Sequence, residues 1–418
     1  MVPNGWEVKS FAKLLISGDM EKIQDGNHGD SHPKSSDFVK SGIPFVMARD
    51  LKKGTVDLEN CAYITKEQAD SLRIGFAKTG DILLSHKGTV GLVAIVPLCD
   101  EYMMLTPQVT YYRIPQDSSL MSSYLYQFLL SHEYQSRFKN LAFQSTRSYL
   151  GITAQKELSI NLPPLPEQQK IAKILSTCDK AISTTERLIE NSTQQKKALM
   201  QQLLTGKKRL LDESGKRFEG EWEDVKLSAI VKVIGGNAFK STDFKDSGIP
   251  LIKISNIKPD YSVSIESSVF ISLDQKYDKF QIKNGDVLIA MSGATTGKIG
   301  RYTSDEMAYL NQRVGRFDVR KGLTINSYLF QLLKLPKVQH EILIDAVGGA
   351  QPNISNKDIE RIKVSIPPIK EQQKVATVLT NADKEIELLE QQLADFQQEK
   401  KALMQVLLTG KKRVVVDG

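Results

Sequence analysis

The sequence has 418 residues, of which 40% are hydrophobic and 25% are charged, and its formal net charge is +7. This length allows two or three domains with cores of their own, and the composition excludes wholesale disorder and a membrane protein. The positive charge permits a polyanionic partner such as nucleic acid without requiring one. The apolar runs are too short to span a bilayer and the first residues lack a signal-peptide pattern, so we expect a cytoplasmic protein.

The first 160 residues contain short strand-like runs separated by turn residues. IPFVMA, DILLS, LVAIVP and VTYYRI are rich in apolar and β-branched residues and are bounded by Gly, Pro, Asn or Asp. One helical pattern, SSYLYQFLLSHEYQSRFK, comes late in the segment. We therefore predict an α+β globular domain over residues 1–160.

A long helix is predicted within residues 161–210. The prolines of PPLPEQQ precede its start, Glu167 lies in its first turn, and Gly206 closes it beside a KKR cluster. Its apolar stripe advances by alternating steps of four and three, which is a heptad seam. The seam positions are Ile171, Leu175, Cys178, Ile182, Thr185, Ile189, Ser192, Lys196, Leu199 and Leu203.

The second half of the chain repeats this order. IPLIKIS, DVLIAMS and VGRFDV precede the helical pattern SYLFQLLKLPKVQHEILI, which predicts a second α+β domain over residues 211–365. A second long helix is predicted within residues 366–418, with Glu371 in its first turn and Gly410 at its end. Its seam positions are Val375, Leu379, Ala382, Ile386, Leu389, Leu393, Phe396, Lys400, Leu403 and Leu407.

The repeat is an internal duplication. Residues 163–209 and 367–413 align without a gap and share 26 identities in 47 positions. Elsewhere the likeness is fainter: SDFVKSGIP is similar to TDFKDSGIP, and GDILLSHKGTVG is similar to GDVLIAMSGATTG. The helices have therefore stayed alike while the globular segments have diverged.

Each helix has an apolar stripe that needs a partner, and we predict that the two helices pair as an antiparallel coiled coil. This pairing would set the large Phe396 against the small Thr185. Lys196 and Lys400 occupy equivalent seam positions. They either fix the register of the pair or extend their charged ends outward to water, and we expect the second.

The sequence contains no catalytic constellation and no metal site. NLPPLP resembles the Asn-Pro-Pro-aromatic loop of adenine methyltransferases, but Leu162 interrupts it and no aromatic residue follows. GATTGK is one residue short of a phosphate-binding loop, and Ile299 stands where Ser or Thr is needed. The five histidines lack metal-ligand spacing, and the three cysteines form neither a disulfide framework nor a zinc cluster.

Polar and basic residues lie in the predicted turns, where side chains can reach a nucleic-acid groove. Arg and Lys suit guanine edges and phosphates, and Asn and Gln suit adenine edges. Each residue alone is more often a solvated turn residue, but together they favour two modules that read different targets from one scaffold. The candidate DNA-binding residues are Arg49, His86, Lys87, Thr89, Gln144, Arg147, Lys253, Asn256, Ser292, Thr295, Thr296, Lys298, Gln351 and Asn353.

Several sequence motifs together indicate a family resemblance. PPLPEQQKIAKIL and PPIKEQQKVATVL each lead into a KKALMQ segment that ends in LLTGKKR, GDILLS and GDVLIAMSGAT lie upstream, and GGAQPNIS precedes the second helix. In these motifs the chain resembles the specificity (S) subunit of type I restriction-modification enzymes, over essentially its whole length. The first half departs from the pattern, because FQSTRSYLGIT stands in place of GGAQPNIS.

The resemblance implies a division of labour. Each globular segment would be a target recognition domain for one part of a bipartite, asymmetric DNA site. The paired helices would set the spacer, give the molecule pseudo-two-fold symmetry and dock two modification subunits. The subunit itself would be non-catalytic and bind no cofactor, whereas the complex would use S-adenosylmethionine, and ATP and Mg²⁺ where restriction subunits are present.

The partners implied by the resemblance are double-stranded DNA, the two modification subunits and, in a restricting system, restriction subunits. The alternative is a two-headed coiled-coil scaffold for protein interactions that has no DNA specificity.

Overall fold

The computed structural model describes residues 2–29, 32–143, 148–266, 268–344 and 352–416. The chain forms two compact units: the first unit comprises Met1–Arg187 and Glu390–Gly418, and the second unit comprises Leu188–Leu389. In the part of the chain that the structure describes, no helix is long and apolar enough to cross a membrane. The separation of globular segments 1–160 and 211–365 from helical segments stays a prediction.

The first unit has a mixed fold of sheets and helices. Its strands are β1 (Glu7–Ser10), β2 (Lys22–Asp25), β3 (Ile43–Val46), β4 (Leu51–Lys52), β5 (Thr55–Val56), β6 (Ala62–Ile64), β7 (Phe76–Ala77), β8 (Ile82–Ser85), β9 (Val93–Ile95), β10 (Met103–Leu105), β11 (Val109–Arg113) and β12 (Ser159–Leu162). Its helices are α1 (Phe11–Ser17), α2 (Lys66–Asp70), α3 (Ser122–Leu129), α4 (His132–Phe143), α5 (Ile152–Glu157) and the first part of α6 (Leu165–Leu203).

The strands of the first unit form two four-stranded sheets, in the orders β2-β11-β8-β9 and β6-β3-β10-β7, and two smaller pairs, β1-β12 and β4-β5. The pairing is antiparallel except between β3 and β10, which run parallel.

The second unit repeats this topology. Its strands are β13 (Glu223–Lys226), β14 (Val231–Gly235), β15 (Ile249–Ile252), β16 (Val269–Ile271), β17 (Gln281–Ile282), β18 (Val287–Ala290), β19 (Ile299–Arg301), β20 (Ala308–Leu310), β21 (Val314–Val319) and β22 (Lys363–Ile366). Its helices are α7 (Leu227–Ile230), α8 (Asn326–Leu333), α9 (Pro336–Ile344), α10 (Asn356–Arg361) and the first part of α11 (Ile369–Leu407). The sheet orders β14-β21-β18-β19 and β16-β15-β20-β17 correspond strand by strand to those of the first unit.

The two long helices, α6 and α11, have 39 residues each, which corresponds to about 58 Å of helix. The turns that follow them contain Gly206 and Gly410 with φ of 68° and 73°, the left-handed conformation typical of a helix end. Each helix begins in one unit and ends in the other. Every predicted seam position is buried or half-buried, and the heptad seam itself stays a prediction.

Both long helices contribute to the cores of the units. Ile171 and Leu175 of α6 belong to the same buried cluster as Met404 and Leu407 of α11 in the first unit. In the second unit, the end of α6 and the start of α11 share another cluster. The predicted contact of Phe396 with Thr185 stays a prediction.

Contacts across the helix pair establish that it is antiparallel. In the first unit, Arg413 beyond the end of α11 donates from Nε to Glu167 near the start of α6 at 3.2 Å. One step inward, Lys400 Nζ lies 2.6 Å from Asp179 Oδ1. A contact further along α6 is thus made with a residue earlier on α11, which means that the two helices run in opposite directions.

The second unit has the equivalent contacts. Arg209 Nη2 donates to Glu371 Oε2 at 2.8 Å, and Lys196 forms an ion pair with Asp383. The antiparallel prediction is thus confirmed within each unit.

The prediction that the two seam lysines extend outward to water is wrong. The side chains of Lys196 and Lys400 are only 14% and 13% exposed, and each ammonium meets a carboxylate of the other helix. A glutamine also donates to each carboxylate: Gln127 Nε2 to Asp179 at 2.6 Å and Gln331 Nε2 to Asp383 at 2.7 Å. Because these pairs satisfy the charges inside the seam, the lysines have no need to reach solvent.

Candidate nucleic-acid interface

Three turns meet at one end of the β2-β11-β8-β9 sheet of the first unit. The turn after β8 binds the turn before β11, because His86 N–H donates to Gln108 O at 2.9 Å. It also binds the segment before α5, because Gly88 N–H donates to Ser148 O at 3.1 Å and Leu150 N–H donates to His86 O at 2.8 Å. We call residues 86–89, 106–108 and 148–151 the three-turn surface of the first unit.

The second unit has the same three-turn surface, formed by residues 291–298, 311–313 and 352–355. Met291 N–H donates to Arg313 O at 2.9 Å, Gly293 N–H to Pro352 O at 3.0 Å, and Ile354 N–H to Met291 O at 2.9 Å. These bonds correspond one for one to those of the first unit. The polar segments that the sequence predicted separately are therefore brought together in both units.

Lys87 and Thr89 are exposed on the first surface. His86 is different, because its side chain is only 1% exposed and lies beneath that surface. Its Nε2 lies 3.0 Å from Pro107 O, and its Nδ1 lies 3.2 Å from Asp25 Oδ1. This ring therefore supports the surface from inside and does not face a groove.

Burial lowers the pKa of His86, and Lys87 acts in the same direction, while Asp25 and the Pro107 carbonyl oppose this shift. Burial therefore favours the neutral ring. The ring also packs edge-on against Tyr149, with 5.5 Å between the ring centroids. Tyr149 is 42% exposed, so an aromatic side chain stands at the edge of the first surface.

On the second surface, the predicted residues differ in accessibility. Asn353 is exposed and Lys298 is half-buried. The hydroxyl oxygens of Ser292 and Thr295 are buried and have no hydrogen-bond partner among the described residues. Thr296 is 9% exposed, and its Oγ1 lies 2.9 Å from Pro352 O, so it ties two of the turns together.

The turns after β3 and β15 lie beside these surfaces, because Thr106 N–H donates to Val46 O at 3.0 Å in the first unit. Arg49 has a side chain that is 71% exposed, with its Nε 3.7 Å from Asp50 Oδ1. Lys253 is half-buried, with its ammonium 4.5 Å from the centroid of Phe244. Asn256 is 3% exposed and caps its own turn by accepting from Lys253 N–H at 2.8 Å.

Three further candidates, Gln144, Arg147 and Gln351, lie outside the described residues. Among the residues that the structure does describe, no group of three or more His, Cys, Asp or Glu side chains could hold a metal ion.

Comparison with known proteins identifies the family. The model of the type I restriction modification DNA specificity domain matches residues 18–192 and 219–397, which together cover most of the chain. The chain belongs to this family. The resemblance stated from the sequence is thereby confirmed, and the two matched regions correspond to the two halves of the duplication.

Similar proteins carry the same family name. The type I restriction enzyme MjaVIII specificity subunit of Methanocaldococcus jannaschii is 29% identical, over 99% of this chain and 94% of its own length. The solved type I restriction-modification system S subunit from M. genitalium has the same fold, with a TM-score of 0.62 and 17% identity over 98% of both chains. A chain from a structure on complex assembly and conformational transition of the type I R-M system has a TM-score of 0.55 at 16% identity.

For a member of the DNA specificity family, the second surface holds two residues that the sequence analysis missed. Gln312 and Arg313 are exposed in the turn before β21 and line a pocket of about 470 Å³ together with Ser292 and Asn353. The available signal was the polar triplet NQR directly before the predicted strand VGRFDV. Its position in a turn beside the other candidates depends on sheet pairing, which the sequence alone does not reveal.

Proposed function

We propose that this chain is the DNA-recognition subunit of a type I restriction-modification enzyme, in which each unit reads one half of a bipartite, asymmetric site. One observation carries the proposal: two units of the same topology present equivalent three-turn surfaces whose side chains differ. Two domains that recognise different half-sites need the same framework but different surface residues, because base edges are distinguished by the side chains that contact them.

The chemistry of the surfaces supports DNA as the ligand. The exposed side chains Arg49, Lys87 and Arg313 supply positive charge for phosphates, and Gln108 and Asn353 supply amide groups for base edges. These side chains stand on turns held by backbone hydrogen bonds to buried strands. Rigid placement of this kind lowers the entropic cost of ordering a contact on binding.

The helix pair supports a second part of the proposal, the docking of two modification subunits. The helical segments are nearly copied, with 26 identities in 47 positions, whereas the surfaces of the units have diverged. A repeated sequence gives two identical partners equivalent places to bind. We also infer that the paired helices set the separation between the half-sites.

In this proposal the chain is non-catalytic and binds no cofactor. The modification subunits supply adenine methylation with S-adenosylmethionine, and restriction subunits, in a system that has them, use ATP and Mg²⁺. The complex acts on DNA and therefore works in the cytoplasm.

The test is to assemble the full chain with its modification subunits and map methylated adenines across a genome by single-molecule sequencing. We expect one bipartite motif with a fixed gap. A stable complex that methylates no defined sequence would contradict the proposal and favour the scaffold alternative. Binding of S-adenosylmethionine by the purified chain alone would contradict its non-catalytic part.

A further inference from the structure

The two units differ directly beneath the three-turn surfaces. In the first unit a connected polar cluster fills this space: Thr110 Oγ1 donates to Asp25 Oδ1 at 2.8 Å, and Gln155 Nε2 donates to Thr110 Oγ1 at 3.1 Å. The pairing of equivalent strands and helices identifies the counterparts in the second unit. Asp25, His86, Thr110 and Gln155 are replaced by Gly235, Met291, Gly315 and Ile359.

Of these replacements, Gly235 leaves open space in the second unit, whereas the space beside Gly315 is filled by Met291, Val233 and Ile289. A side chain placed on Gly235 would meet nothing closer than the amide of Asn356, at 3.9 Å. The position of the exposed Tyr149 ring is taken by the shorter Asn353, as the equivalent bridges Lys87 to Tyr149 and Ser292 to Asn353 show. The pocket of about 470 Å³ in the second unit is lined by both of these smaller residues, Gly235 and Asn353.

Polar groups predominate in the lining of this pocket, and none of the described residues that line it carries a carboxylate. Arg313 lines it, and its exposed guanidinium has no hydrogen bond or ion pair within the described part of the chain. Asn356 is fixed at one end, because its Nδ2 donates to Val233 O at 2.9 Å. Ser292 contributes a buried hydroxyl without a partner among the described residues.

We propose that this pocket is a base-reading site and that Arg313 recognises a guanine of the second unit's half-site through the major groove. This inference rests on the proposed function and assigns to one side chain the recognition of one base. The guanidinium can donate two parallel hydrogen bonds to O6 and N7 of guanine, which no other base presents together. The amides of Gln312 and Asn353 lie in the same pocket to contact the neighbouring base pair.

The position of Arg313 favours a base over a phosphate. A phosphate contact requires only an exposed charge on a convex surface, whereas Arg313 shares a concave pocket with the amides of Gln312 and Asn353. The equivalent residue of the first unit is Gln108, whose amide suits adenine. The difference at this one position gives the two units different base preferences.

The test compares Arg313→Lys and Arg313→Ala with the wild-type chain, each assembled with the modification subunits and mapped for methylation. Lysine keeps the charge but cannot make the two parallel bonds. Arg320→Ala is the matched control, because Arg320 is an exposed arginine at the other end of the same strand, roughly 20 Å away. Binding to a randomised DNA library gives an independent readout of the same preference.

We expect the wild-type motif to contain an invariant guanine in one half-site. Both Arg313 variants should reduce the preference for that guanine by about ten- to a hundredfold, leaving the other half-site and the gap unchanged. Arg320→Ala should leave the motif as it is. Three results would overturn the inference and leave the proposed function standing. They are a second half-site without an invariant guanine, a preference for guanine that survives in Arg313→Ala, and a loss of DNA affinity that is equal for all sequences. A wild-type complex without any bipartite motif would instead contradict the proposed function.

Discussion

The helix pair of the second unit contacts a buried lysine, Lys334, that lies after α8. The side chain of Lys334 is 6% exposed and shares Asp383 with Lys196, at 3.3 Å from the carboxylate. The equivalent residue in the first unit is the apolar Leu130. Burial lowers the pKa of Lys334 to about 8 and Lys196 adds to the effect, although Asp383 opposes it. Two ammonium groups beside one carboxylate leave an excess of buried positive charge.

The replacement Lys334→Leu, which copies the first unit, should stabilise the protein at neutral pH by about 1–2 kcal/mol. The folded chain holds the Lys334 proton less tightly than the unfolded chain, whose lysine keeps its usual pKa of 10.5. The cost of the charged side chain is therefore fully present below pH 8 and disappears as the pH rises from there through 10.5. Thermal unfolding of the full chain at several pH values measures the difference.

The control for this prediction is Lys337→Leu, which removes an exposed charge three residues further along the chain. It should change the free energy of unfolding little, and by the same amount at every pH. An Lys334→Leu variant that is less stable than the wild type at neutral pH would show that the ion pair with Asp383 outweighs the cost of burial.

At the scale of elements, the sequence predicted the long helices well and the sheets only in part. A helix of 39 residues is marked by local signals, namely prolines before it, a heptad seam within it and a glycine after it. The strand-like runs IPFVMA, DILLS and VTYYRI each contain a strand. Their order in the sheets, and the parallel pairing of β3 with β10, depend on contacts between distant segments that a local pattern does not contain.

The proposed role of the helix pair as a spacer predicts the effect of lengthening it. One heptad inserted into α6 after Arg187 and one into α11 after Leu389 preserves the seam and adds about 10 Å of helix. We expect methylation mapping to show a gap between the half-sites that is longer by up to about three base pairs, with both half-sites unchanged.

The control for the heptad variant is an insertion of the same length at Gly215, in an exposed turn, which should leave the gap unaltered. Altered half-sites with an unchanged gap would count against the spacer role.

For the whole molecule, the duplication predicts that half of the chain can complete itself by dimerisation. The first unit takes Lys400, Met404, Leu407 and Arg413 from the end of the chain. The corresponding residues near the end of the first half, Lys196, Met200, Leu203 and Arg209, are identical. A fragment of residues 1–209 therefore carries both halves of the contact and should form a symmetric dimer.

Light scattering of this fragment at micromolar concentration measures its mass, and twice the mass of one copy is expected. Lys196→Glu in the fragment should weaken the dimer, because it would set a carboxylate against Asp179 of the other copy. A fragment with the mass of a single copy would contradict the prediction.

The sequence by itself determined the duplication, the two long helices and the family to which the chain belongs. Local sequence patterns indicate these features: a nearly copied segment, a heptad repeat and the motifs that precede and follow it. They need no knowledge of which distant residues meet, because hydrophobic periodicity and helix ends act over a few turns of chain.

Only the tertiary structure decided which polar residues are available on the surface. His86 and Asn256 have the right chemistry for DNA but are buried beneath or inside turns, whereas Arg313 is exposed in a pocket that Gly235 also lines. The burial of Lys196 likewise depends on its ion pair with Asp383, which lies 187 residues further along the chain. Burial and pairing are properties of contacts between distant parts of the chain, and these contacts form only when the sheets and helices pack together.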